Sequence, residues 1–308
     1  MGWTDNDEIE QTESENDDEN EIQQKESMTD NVNLESLTPG AMNVQDAADQ
    51  EHTWGILIWG HEGAGKSHFG YTMPEPVCFI DTENKADDIA HKFSDKVAHI
   101  WQPDNFDEAV QARDEALNYL SEYLSQTDKT GTIVVDSMDD IWTWAQHKYI
   151  NKYMSNTDVE DVNLDLEDWA PIKKIHNEGF RNEIKNCDFN FLWTATRKDD
   201  LNRKIEEGME ETPDKPGGES KNKYRANSII RLQTNPEGIP EGTLHKSGIL
   251  RFKYMGLERP TFQKHKHVVQ NIQDIETDGA NSTEEVEELY DGEHDIYGVT
   301  EANLRYLQ

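Results

Sequence analysis

From residue 54 onward, short apolar runs alternate with longer polar stretches that carry apolar residues at helical spacing. The runs 54–59, 77–80, 98–101, 132–135 and 189–193 are nearly free of charge. Uninterrupted runs of that length predict strands buried on both faces. Helices are predicted over 84–93, 106–125, 139–154 and 167–186. In 106–125, Phe106, Ala109, Val110, Ala116, Leu117, Leu120 and Leu124 recur at helical spacing. Arg113 interrupts this stripe, and its aliphatic stem is expected to lie along the apolar face with its charge in water. Strands alternating with helices predict an α/β fold, a mainly parallel sheet flanked by helices. Three further extended segments, 228–233, 243–246 and 249–254, predict a C-terminal antiparallel extension. No fixed-period repeat is present.

The flanks differ. Residues 1–53 hold 16 Asp and Glu against one Lys. They offer too little apolar area to offset the entropy of ordering, and predict a disordered acidic tail. Within it, 32–37 is apolar enough to dock on a neighbour. The stretch 199–222 is hydrophilic, with Gly208, Pro213, Pro216, Gly217 and Gly218, and predicts a flexible loop. Residues 274–295 carry ten carboxylates and no Lys or Arg. This divides the chain into a tail at 1–53, a domain at 54–272 and an acidic tail at 273–308 that ends in a short helix over 300–307. Formal net charge is −35. A core with that excess repels itself unless salt screens it. A salt-rich cytoplasm is the expectation, and an ordinary acidic protein with two acidic tails is the alternative. Cys78 and Cys187 form no disulfide framework, and Cys78 reads as a small core residue. No secretory leader or membrane-spanning run is visible, so a soluble cytoplasmic protein with no membrane partner is expected.

The junction after the first run carries the chemistry. Gly60-His61-Glu62-Gly63-Ala64-Gly65-Lys66-Ser67 matches the phosphate-binding loop G-x-x-x-x-G-K-[ST] at every fixed position. Glycines let successive backbone N–H groups turn inward onto phosphate oxygens, and the following helix adds its positive end. Lys66 is expected to reach the β- and γ-phosphates, and Ser67 to offer a hydroxyl to Mg2+. ATP and Mg2+ are the expected ligands. Ile133-Val134-Val135-Asp136-Ser137 ends an apolar run in an acid, which makes Asp136 the second candidate metal residue. Asp139 and Asp140 read as acids favoured by the dipole of the next helix. Phe79-Ile80-Asp81-Thr82-Glu83 ends another run. Glu83 is the candidate general base for an attacking water, with Asp81 behind the metal.

Together, 60–67, 79–83, 133–137 and 191–197 resemble the RecA-like ATPase core. They look most like the compact RecA-like nucleotide-binding proteins of tailed viruses, some of which are single-strand-annealing recombinases. The resemblance spans residues 54–267 and implies a RecA-like P-loop NTPase core. It gives Glu83 the catalytic-glutamate role and Asp136 the metal-orienting role. The fourth strand of such cores usually ends in a polar sensor of the γ-phosphate, often Gln. This chain has Thr194 and Thr196 there. Thr196 is then the expected sensor, and Arg197, just beyond it, a further catalytic candidate. In that family the following loop, here 199–222, touches DNA.

Residues 221–267 hold ten Lys and Arg against three Glu, with Tyr224, Phe252, Tyr254 and Phe262 interleaved. Cations beside aromatic faces suit single-stranded DNA, with Arg251, Lys253, Lys264 and Lys266 as expected contacts. A second reading sends one of these cations to the nucleotide of the next subunit, which implies a homo-oligomeric ring or filament. An evenly salt-bridged β-face is the plain alternative. His245, His265 and His267 read as solvated, because Lys intervenes and no Cys accompanies them. Of Trp142 and Trp144, one is expected in the core and the other exposed or against a neighbour. The expected function is Mg-dependent ATP hydrolysis acting on DNA, in recombination, annealing or replication, in a halophilic virus or archaeon. One alternative is a viral DNA-packaging motor, although those usually place Glu directly after the metal-orienting Asp, where Ser137 stands here. The other is a non-catalytic nucleotide-dependent switch or scaffold.

Overall fold

The computed structural model describes residues 53–154, 162–210, 212–290 and 296–301. The expectations for 1–52, for residue 211, for 291–295 and for most of the terminal helix at 300–307 fall outside them. The five apolar runs form neighbouring strands of a ten-stranded sheet, from its middle to one edge. Strand β1 is Gly55–Gly60, β2 Val77–Asp81 and β4 Thr132–Asp136, and every residue in them is buried. β3, Val97–Trp101, is only half-buried because it lies at the edge. β5, Asn190–Asp199, is buried over its first six residues. Successive side chains of one strand enter different cores. Ile56 and Ile58 join one, while Leu57 and Trp59 join the other.

In the middle of the sheet β5 lies between β1 and β4, and β2 and β3 continue outward, all parallel. On the other side β7, Ser228–Thr234, runs parallel to β1. β8 (Pro240–Ser247), β10 (Gly256–Glu258) and β11 (Ile296–Tyr297) then follow antiparallel. This is the expected α/β class: a mostly parallel sheet flanked by helices, with a C-terminal antiparallel extension.

The helices form for local reasons. α1, Lys66–Tyr71, follows the phosphate-loop motif, and α2, Asp87–Ala90, follows β2. α3, Phe106–Thr127, is capped by Asn105, whose side chain accepts from the N–H groups of Asp107 and Glu108. Its stripe of Phe106, Ala109, Ala112, Ala116 and Leu120 is buried. α4, Met138–Tyr153, starts directly after β4. The helix expected over 167–186 is divided into α5 (Trp169–His176), a π-turn at Asn177–Arg181, and α6 (Asn182–Lys185). That turn explains Arg113, which is 5% exposed and not solvated as expected. Its guanidinium donates to the Gly179 and Phe180 carbonyls at 2.6 and 3.2 Å, and also pairs with Asp114. Trp142 stacks on Trp169, with ring centres 6.1 Å apart, and meets His176 edge-on. Both Trp142 and Trp144 are half-buried, so neither is the core residue expected.

Two expected loose segments are folded. The flexible loop expected at 199–222 contains α7 (Leu201–Glu207), β6 (Asp214–Pro216) and the start of α8 (Asn222–Arg225). β6 pairs antiparallel with the end of β5, and Lys215 Nζ lies 2.9 Å from Asp200. A polar hairpin held by ion pairs leaves no apolar pattern to read. The acidic tail expected from 273 is also folded where it is described, over 273–290 and 296–301. α9, Phe262–Thr277, crosses that boundary and buries Phe262, His265, Val268, Val269, Ile272 and Ile275. α10, Thr283–Leu289, buries Val286. β11 pairs with β10, and β12 (Thr300–Glu301) pairs with β9 (Phe252–Lys253). Asp274, Asp278, Glu284, Glu285, Glu287 and Glu288 are exposed, which leaves the apolar residues of the two helices free to pack.

Candidate active site

β1 delivers the chain into the phosphate loop, and the local sequence sets its shape. At Gly60 a Cβ would stand 2.2 Å from the Leu232 carbonyl oxygen of β7, so only glycine fits. Gly65 precedes α1 at φ 94°, a left-handed conformation that side chains disfavour. Ala64 is buried, and Gly63, Gly65, Lys66 and Ser67 line a cavity of about 580 Å³. Lys66 Nζ folds back over the loop and donates to the carbonyls of His61 (3.0 Å) and Gly60 (3.3 Å).

β5 stands between β1 and β4, yet their ends converge. Ser67 Oγ donates to Asp136 Oδ2 at 2.5 Å, and Thr194 Oγ1 of β5 donates to Asp136 Oδ1. Asp136 is 5% exposed. Burial raises its pKa, the Ser67 and Thr194 hydroxyls pull it back, and the Glu83 charge pushes it up again. The sheet register places Asp81 of β2 beside Asp136 of β4. Glu83 follows two residues later and lines the same cavity as Lys66, Ser67 and Asp136. The two acids expected to meet at the phosphate loop therefore share its cavity. Ser67 and Asp136 offer hydroxyl and carboxylate oxygens to a hard cation, a donor set that fits Mg2+ completed by water and substrate oxygens. Among the described residues, no group of three or more His, Cys, Asp or Glu is arranged to hold a metal by itself.

Behind the cavity, contacts between strand ends hold the acids in place. Thr82 N donates to the Asp136 carbonyl at 2.7 Å. The Thr82 hydroxyl donates to Asp140 at 2.6 Å and accepts from Ser137 N at 2.8 Å. Asp139 accepts from both the backbone N–H and the hydroxyl of Thr196, at 2.8 and 3.0 Å, and pairs with Lys198. Asp139 and Asp140 are therefore tethers between strand ends, and not merely helix-terminal acids. Asp81, expected behind the metal, builds a turn instead. It accepts from Ala86 N at 2.8 Å and from Gln102 Nε2 at 3.2 Å.

Thr196 lies in the cavity wall, but Arg197 does not. Arg197 is held by Asp214 of β6, with Nε 2.9 Å from Oδ2, and its Nη1 lies 2.8 Å from His61 Nε2. Arg231 grips the same Asp214 and covers the Trp59 ring. His61 and Glu62 of the phosphate loop are exposed. Lys85, which sequence reasoning passed over, bridges Glu62 and Glu83 at 3.2 Å each and lines the cavity. The hydrogen bonds to Glu83 and then Glu62 raise its pKa. Its position two residues after a candidate base was the signal that could have found it.

The basic segment does not form the expected strip. Phe252, Tyr254 and Phe262 are core residues, and of the four interleaved rings only Tyr224 is exposed. Lys253 is buried and donates to the His245 carbonyl. Arg251 pairs with Glu301, and Lys264 donates to the Glu258 carbonyl at 3.0 Å. Lys264 is in the first turn of α9, while Arg251 N meets Glu276 in its last turn. At 1.5 Å per residue these sites are roughly 18 Å apart. Lys266 is half-buried. Two of the three histidines also differ from expectation, while His267 is exposed as expected. His265 is fully buried, with Nδ1 2.9 Å from the Tyr254 hydroxyl, and His245 packs edge-on against Trp59.

A family model described as an AAA domain matches residues 52–227, more than half of the chain. The chain belongs to this family. A search of curated proteins finds no match. The AAA domain is a P-loop ATPase-type domain, and it contains every residue of the cavity, from Glu62 to Thr196. The basic residues from Arg231 onward lie beyond it. Among the described residues, no helix is long and apolar enough to cross a membrane.

Proposed function

We propose that this AAA domain binds ATP with Mg2+ and hydrolyses it. One arrangement supports the reading above the rest: Lys66, the Ser67–Asp136 pair and Glu83 border one cavity on the phosphate loop. Ser67 and Asp136 would hold Mg2+, which supplies charge neutralisation on the phosphates. Lys66 exchanges its two loop carbonyls for phosphate oxygens. Glu83 holds the attacking water in line with the γ-phosphoryl group and takes its proton as the oxygen–phosphorus bond forms. ADP and inorganic phosphate leave. The Thr196 hydroxyl proton is already engaged by Asp139, so Thr196 faces the cavity as an acceptor for water and not as a donor to phosphate.

The test is phosphate release by the purified chain with ATP and Mg2+. Glu83→Gln should keep ATP binding and slow release by about 100-fold or more, the usual contribution of a general base. Lys66→Ala should lose nucleotide binding. Tight ATP binding by the wild type without any phosphate release would replace this reading with a nucleotide switch.

A further inference from the structure

The cavity contains a second lysine. The turn between β2 and α2 places Glu83 and Lys85 on either side of Asn84, which adopts a left-handed conformation at φ 54°. This turn is pinned at both ends. Thr82 is bound to Asp136, Asp140 and Ser137. Ala86 donates to Asp81, and its carbonyl accepts from the Tyr71 hydroxyl of α1. The turn therefore holds a definite position over the phosphate loop, and the Lys85 side chain reaches solvent beside the cavity. Lys85 Nζ sits 3.2 Å from Glu83 Oε2 and 3.2 Å from Glu62 Oε1. Its side chain is 59% exposed, and an ion pair that open to water stabilises little. A terminal phosphate group entering the cavity carries more negative charge than either carboxylate and is a better partner for an ammonium group.

We propose that Lys85 is a phosphate-facing cation supplied by the same chain. Without nucleotide it neutralises Glu83. With ATP bound it moves to the γ-phosphate, which both counters charge in the transition state and releases Glu83 to hold water. The inference rests on the ATPase reading above. It assigns to this chain's own turn the role expected of a cation from a neighbouring subunit. The base then becomes available only when a γ-phosphate is present to take its partner, which ties deprotonation of water to occupancy by the triphosphate.

Three measurements on wild type, Lys85→Ala, Lys85→Gln and Lys85→Arg test it: steady-state phosphate release, binding of ADP, and binding of a non-hydrolysable ATP analogue. Lys85→Ala and Lys85→Gln should lower kcat at least tenfold and weaken the ATP analogue severalfold. ADP affinity should be unchanged, which also shows that the variants are folded. Lys85→Arg should recover most of the rate. Equal loss of ADP and analogue binding would reduce Lys85 to a structural role and overturn the proposal. So would wild-type or faster turnover in Lys85→Ala, the latter making Lys85 a brake on Glu83. If Glu83→Gln abolishes turnover while Lys85→Ala does not, only the lysine proposal fails. If the wild type releases no phosphate at all, the ATPase reading itself fails.

Discussion

Asp136 shows how much one side chain's neighbours decide. It is almost fully buried, which disfavours its charge, but two hydroxyls donate to it and Lys66 lies close by. Thr194→Val should remove one donor while keeping the shape, leaving Asp136 less well held as an anion. We expect weaker Mg2+ affinity, read as a rise in the Mg2+ concentration that gives half-maximal nucleotide binding. Gly60 is limited by space. The Leu232 oxygen stands where a Cβ would go, so Gly60→Ala should destabilise the fold by about 1–3 kcal/mol, measured by urea unfolding. Arg181 and Glu219 form a buried pair at 3.1 Å that ties the π-turn to the return of the β6 segment. Glu219→Ala leaves an uncompensated guanidinium and should cost about 3–5 kcal/mol in the same experiment.

Elements reveal what single residues conceal. The phosphate loop, β1, β2, β4 and α3 were all legible, because each is encoded by contiguous residues. A glycine spacing, an apolar run or a stripe at helical period is a local signal. The β5–β6 hairpin was not legible, since it is held by Asp214 gripping Arg197 and Arg231 from another strand. α9 carries a stripe at 268, 269, 272 and 275, but it runs into the acidic stretch that starts at 274, whose composition resembles that of a tail. Its five buried apolar side chains contribute about 1.5–3 kcal/mol each, which together match the ~5–15 kcal/mol stability of a whole domain. A chain truncated after Pro260 should therefore lose cooperative unfolding, seen as a broad or absent urea transition.

At the scale of the molecule, charge and buried histidines set the response to solution conditions. A net charge of −35 opposes compactness, so the melting temperature should rise steadily between dilute buffer and molar KCl. Burial holds His176 and His245 at a pKa of about 4 and His265 at about 3, each below the ordinary 6.5. The unfolded chain then binds more protons than the folded one below pH 6.5. The stability from these residues is complete above that pH and is lost as pH falls towards 3–4, at up to about 1.4 kcal/mol per pH unit for each. The urea midpoint should therefore fall between pH 7 and 5. His265→Phe should flatten the slope, whatever its effect at pH 7.

The sequence by itself determined the α/β architecture, the phosphate loop and the identity of its two acidic strand ends. Those signals lie in adjacent residues or in one repeating period. Tertiary structure decided which polar residues meet there. Asp139 reaches Thr196 and Asp140 reaches Thr82 only because β2, β4 and β5 are neighbours in the sheet. Burial made the same kind of decision for Phe252, Tyr254 and Phe262, which belong to the core and not to a stacking surface. A side chain's type is written in the chain, whereas its partner depends on contacts between segments that the linear order keeps apart.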